Sequence, residues 1–163
     1  MSVLGYDPKA GSNLYRIVSA ALAYDHPETG ETSILTINQP IEITHLSNHL
    51  LCLFQCRMSG VTINDVPKFL APNPSVNTHA IKIKSDDGSH SLLIPLSLKG
   101  VTSYFDVQKP TTAEWDDHKK NCRYELTLDE PIWDPSTDEY QGMEERMVNY
   151  RGEVLYRDRS KMP

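Results

Sequence analysis

Cysteine is scarce in this sequence: Cys52, Cys56 and Cys122 are the only three in 163 residues. An odd, sparse set excludes a secreted disulfide scaffold. No Asn-x-Ser/Thr acceptor occurs, and the nearest approach, Asn73, is followed by Pro74. Residues 1–10 carry no apolar core, so no secretory leader is expected, and no apolar run approaches bilayer-spanning length. The expectation is a reducing, intracellular setting, cytoplasmic or nuclear, with no membrane partner. A basic stripe is also missing. Net charge is −6, and residues 111–145 hold eleven acids against three basic residues. Arg146, Arg151, Arg157, Arg159 and Lys161 are interleaved with acids. Such a surface repels phosphates, which argues against direct nucleic-acid binding. Glycine-rich phosphate loops and the Gly-x-Ser-x-Gly elbow are absent too.

Proline, in contrast, is plentiful: eleven against eight glycines, which predicts short elements broken often. Mainly β structure with a few short helices, a β-rich α+β fold, is expected. Residues 14–24 and 32–38 read as a hairpin around the Pro27 and Gly30 turn, with 40–43 a short third strand. Ser47 is placed to cap a helix running to Met58, ended by Gly60. A brief strand at 61–64 precedes Pro67, Pro72 and Pro74. Residues 78–84 alternate with a period of two, Asp86-Asp87-Gly88 reads as a turn, and strands at 91–98 and 101–107 complete a meander. Thr111 with Glu114, and Ser136 with Glu139, fit capping boxes, and 123–128 is one more strand. Tyr140, Met143 and Met147 fall on one stripe of the last helix.

Chemistry-bearing residues are few. An aspartic protease shares one proton between two carboxylates, each in an Asp-Thr/Ser-Gly turn. No such tripeptide occurs in these residues, and Asp86-Asp87-Gly88 lacks the apolar flanks a buried aspartate needs. His45, His49, Cys52 and Cys56 have helical spacing and types that suit zinc. Eleven residues of straight helix span roughly 16 Å, so one helix offers an ion two of these ligands, and a full site needs a break or help from His79 or Cys122. The plainer reading is a core helix anchored by Leu50, Leu51, Leu53 and Phe54, and no metal or cofactor is assigned. Ser47, Ser59, Cys52 and Cys56 lie near histidines in sequence without a nucleophile's setting. Trp115, Trp133 and Tyr140 stand among acids as candidate contact residues or satellite core.

Longer phrases say more. Val3-Leu4-Gly5-Tyr6-Asp7-Pro8 leads to Ile17-Val18-Ser19-Ala20-Ala21-Leu22-Ala23-Tyr24-Asp25-His26-Pro27 and Thr29-Gly30-Glu31. Asn48-His49-Leu50-Leu51-Cys52, Gln55-Cys56-Arg57, Gly60-Val61 and Pro67-Lys68-Phe69 follow. Then come Thr78-His79-Ala80-Ile81, Ile94-Pro95-Leu96, Gly100-Val101-Thr102-Ser103-Tyr104-Phe105 and Lys109-Pro110-Thr111, closed by Trp133-Asp134-Pro135 and Asn149-Tyr150-Arg151-Gly152. This series, covering nearly the whole chain, resembles the polyproteins of Copia-like retrotransposons, in the stretch that begins with a retropepsin-like aspartic protease.

The resemblance implies a partial retropepsin-like barrel at 1–64 lacking the catalytic strand, a Pro-rich boundary at 65–77, and a β-rich polyprotein segment with acidic helices at 78–163. In that family the strand with the catalytic aspartate precedes the Gly-Tyr-Asp-Pro phrase, so no catalytic role transfers to any residue here. Gly5 and Asp7 correspond to flap positions, 32–43 to later barrel strands, and Asn48-His49-Leu50-Leu51 to the start of the carboxy-terminal helix. The implied partners are a second copy, as in a retropepsin dimer, or other polyprotein segments. Three functions follow from this: a truncated polyprotein fragment inactive alone, an active aspartic protease whose catalytic strand lies upstream, and a non-enzymatic β-rich interaction module. A barrel without its first strands leaves unpaired edges, so the amino-terminal half is expected to be less stable than the segment from Thr78 onward.

Overall fold

The computed structural model describes residues 12–42, 49–85, 88–117, 123–134, 136–145 and 147–154, together with 2–4; for 2–4 and 12–14 it describes the backbone. The chain forms two compact units, Met1–Pro131 and Ile132–Pro163.

Within the first unit, β1 (Ser2–Leu4) pairs antiparallel with β2 (Ser12–Leu14). β3 (Arg16–Asp25) then turns into β4 (Thr32–Glu42) as the expected hairpin. Its turn closes because Gly30 adopts a left-handed φ of 69° and donates its N–H to the His26 carbonyl at 2.8 Å. His26 Nδ1 also accepts the N–H groups of Glu28 and Thr29, and Thr32 Oγ1 donates to Asp25 Oδ1 at 2.6 Å.

Of the strand expected at 40–43, residues 40–42 continue β4 beyond a bulge, and Ile43 lies outside the described residues. Ile41 pairs with Ile17 and Asn38 with Ser19, so one extra residue is taken up on β4. Gln39 absorbs it with a φ of 61°, and its Nε2 donates to the carbonyls of Leu128 (3.3 Å), Asp129 (2.6 Å) and Pro131 (3.1 Å).

The predicted helix from Ser47 is shorter than expected. Ser47 lies outside the described residues, 49–52 hold no regular structure, and α1 runs Leu53–Met58. Cys52 is its N-cap and makes no side-chain cap bond, so little favours an earlier start. After α1 come β5 (Thr62–Asn64), a 3₁₀ turn at Lys68–Leu70, β6 (Ala80–Lys84), β7 (Ser91–Pro95), β8 (Ser97–Lys99), β9 (Thr102–Tyr104), α2 (Thr112–Asp116) and β10 (Arg123–Thr127).

β6 buries Ala80, Ile81 and Ile83 and exposes Lys82 and Lys84, close to the alternation its sequence predicts. The meander is β5-β6-β7, while β8 and β9 form a separate hairpin about Gly100. The third sheet has the order β10-β4-β3, with β10 parallel to β4. The fold is mainly β with short helices, as expected, and among the described residues these sheets do not close into a barrel.

One core unites the unit. Tyr24 and Leu35 pack with Cys56, Val61 and Ile63, with Ile81, Ile83, Leu92, Ile94 and Leu96, and with Tyr124 and Leu126. The boundary expected at 65–77 therefore does not divide the fold. Residues on both sides of it share this core, and the chain divides between Pro131 and Ile132 instead.

In the second unit, α3 spans Glu139–Glu145. Ser136 does not cap it. The Ser136 hydroxyl and N–H both donate to Asp134 Oδ1, at 2.6 and 2.9 Å, and Thr137 Oγ1 accepts from Glu139 N. Met143 and Met147 are half-buried, as is Tyr140, which stacks on Trp133 at 5.3 Å between centroids.

Candidate functional site

The chemistry-bearing residues around α1 do not converge. His45 lies outside the described residues, as do Cys122, Asp86, Asp87, Gly5 and Asp7. His49 is exposed ahead of the helix, so the four-residue stripe expected of a continuous helix is not formed. Cys52 is exposed at the N-cap and Cys56 is fully buried in the core, both as free thiols. Burial, reinforced by the charge of Cys52, pushes the Cys56 thiol up to about 12, so it stays protonated at neutral pH and is a poor nucleophile or metal ligand. Among the described residues no three His, Cys, Asp or Glu side chains form a group able to hold a metal ion.

The turn at Gly88 behaves as a hairpin connection. Gly88, with φ 69°, donates to the Ser85 carbonyl at 2.8 Å, and Ser85 N donates to His90 O at 3.0 Å. Ser59 is used structurally: its Oγ donates to the Gln55 carbonyl and accepts from Leu128 N.

Sequence spacing gave no hint of the hydroxyl–imidazole pair formed by His79 and Ser103. His79 is 3% exposed, with a left-handed φ of 56°, at the entry to β6. Its Nε2 lies 2.8 Å from the hydroxyl of Ser103 on β9, and its carbonyl accepts from Leu96 N at 2.8 Å. That separation suits a nucleophile and its base. The same geometry equally suits a pin. The ring ties the β8–β9 hairpin to the mouth of β6, and no carboxylate among the described residues hydrogen-bonds His79 to orient it for catalysis. The two residues are 24 apart in sequence. The one local signal is a histidine beside Thr78 at the start of an alternating strand.

The aromatic candidates resolve into local contacts. Trp115, on α2, is covered by the Arg123 guanidinium at 4.2 Å from its ring, and Arg123 Nη2 donates to the Trp115 carbonyl at 2.7 Å. A more prominent exposed feature is the proline-held loop at 65–77. It presents Phe69 at 77% and Leu70 at 63% exposure, flanked by exposed Val66 and Val76. The Arg57–Asp65 ion pair at 2.9 Å and the Asn64 Nδ2 bond to Asn77 O at 3.3 Å hold its ends.

Comparison with protein-family models, curated proteins and solved structures finds no match. No helix of the described residues is long and apolar enough to cross a membrane.

Proposed function

We propose that this chain is the protease-region segment of a Copia-like retrotransposon polyprotein and performs no catalysis by itself. One observation carries the proposal: the phrase series from Val3 to Gly152 occurs without any Asp-Thr/Ser-Gly tripeptide in the 163 residues. A mainly β fold is in keeping with it. The chemistry of the family needs two carboxylates sharing one proton, and this chain has no residue matching the motif that supplies them. Its partners under this reading are polyprotein segments, a second copy among them. The test is incubation of the purified chain with a peptide library at mildly acid pH, with and without pepstatin. No pepstatin-sensitive cleavage is expected; such cleavage would refute the inactivity.

A second reading, a non-enzymatic interaction module, is favoured by the exposed Phe69–Leu70 pair. Apolar side chains held outward on a tethered loop are the kind of anchor that fills a partner's pocket. Under it, Phe69→Ala abolishes recovery of a defined partner while leaving the melting temperature unchanged.

A further inference from the structure

We infer that the open edge of β3 is a docking strand for a second copy of this chain, paired antiparallel about Ser19. The inference rests on the reading above in its choice of occupant, a second copy, and on edge geometry for the place; a dimer that ignores the β3 edge would overturn the place and leave that reading standing. In the order β10-β4-β3, β3 has β4 on one side and no strand of the described residues on the other. On its other side Ala23 N donates to Gln108 O at 2.8 Å and Gln108 N donates to Ala23 O at 2.9 Å. Backbone polar groups of alternate residues point to the same side of a strand. Ala21, Ser19 and Ile17 therefore direct their N–H and C=O off the sheet, as Ala23 does. Among the described residues no backbone group meets those three. The open run ends at Ala23, where Gln108 closes it, and at Tyr15, which belongs to no strand. Ser19 is its midpoint.

From Ile17 to Leu22 the edge has no charge and no proline, the two features that usually protect an exposed edge. Ile17 is 49% exposed. A second copy fits because the run is self-complementary. With Ser19 opposite Ser19, Ile17 faces Ala21 and Val18 faces Ala20, large against small each time, and Arg16 faces Leu22 with no like charges opposed. In this register Ile17 with Ala21 and Ser19 with Ser19 are hydrogen-bonded pairs, so every off-sheet N–H and C=O of both strands is used. A shift by one residue would set outward groups against inward ones and lose the ladder. Two β10-β4-β3 sheets thereby join edge to edge.

Sedimentation velocity of the full chain over a roughly hundredfold concentration range reads the equilibrium. Wild type is expected to pass from monomer to dimer. Ser19→Pro removes only an off-sheet N–H, which an edge strand tolerates, and Ile17→Lys charges the docking edge. Each should weaken dimerisation at least about tenfold, with circular dichroism and melting checking the fold. Ser19→Cys, in a chain with Cys52→Ser and Cys122→Ser, should cross-link under mild oxidation, since hydrogen-bonded antiparallel pairs stand about 5.5 Å apart, within disulfide reach. Three results would overturn the proposal: a monomer at every concentration, a dimer that ignores Ile17→Lys and does not cross-link through Ser19→Cys, or a monomer whose edge captures a different extended peptide.

Discussion

Thr127 shows how much one side chain settles in this fold. It is 1% exposed, and its Oγ1 donates to Asn38 O at 2.6 Å while accepting Asn38 N at 2.8 Å, where the β10–β4 ladder shifts register. Replacing the hydroxyl by a methyl keeps the volume but leaves both Asn38 groups without their partner. Thr127→Val should therefore cost about 1–3 kcal/mol in chemical denaturation, and a loss under about 0.5 would contradict the assigned bonds. Cys56 makes a pH prediction. Its thiol is raised from the ordinary 9.0 to about 12 by burial, so the unfolded thiol ionises first. The resulting stability is complete below about pH 9 and is lost as pH rises toward 12, by roughly 1.4 kcal/mol per unit at most. The difference in stability between wild type and Cys56→Ala should shrink across that window, and a difference independent of pH would refute the burial argument. None of this could be read from the sequence, where Cys56 was one of four residues with metal-like spacing. Burial on the inward face of a short helix is a tertiary fact.

At the level of elements, the capping box at Thr111 was legible and is present: Thr111 Oγ1 accepts Glu114 N at 3.2 Å, and Glu114 Oε2 accepts Thr111 N at 2.7 Å. Thr111→Ala should lose about 1 kcal/mol, and with it the seating of Trp115 beneath Arg123, read as a shift in tryptophan emission. Unchanged stability and emission would mean that α2 is held by packing alone. The hairpin of β3 and β4 and the alternation of β6 were legible because turn chemistry and period-two burial are local. Three features were not. The helix from Ser47 begins only at Leu53, residues 40–42 of the strand expected at 40–43 merge into β4, and Asp134 rather than a Ser136–Glu139 box receives the Ser136 donors. In each case a plausible local signal was outweighed, by a cap that makes no side-chain bond, by a bulge with a left-handed Gln39, and by a nearer acceptor.

Across the first unit, long-range pairing sets the architecture. The parallel union of β10 with β4 joins residues almost ninety apart, and nothing in either strand's own sequence announces it. It also revises the expected stability. Because Tyr24, Leu35, Ile81, Ile94 and Leu126 share one core, β3, β4, β6 and β7 should open together. Native-state amide exchange is expected to give their central amides free energies within about 1 kcal/mol of each other; protection of β6 and β7 roughly a hundredfold above that of β3 and β4 would restore two independent halves.

The proposal that these residues come from the protease region of a retroelement polyprotein meets its sharpest test in the nucleotide sequence of the locus on both sides of the coding segment. Upstream of the Val3-Leu4-Gly5-Tyr6-Asp7-Pro8 codons, codons for an apolar strand carrying Asp-Ser/Thr-Gly or a decayed copy of it are expected, with polyprotein coding sequence downstream. A locus with no trace of either on any frame would contradict it.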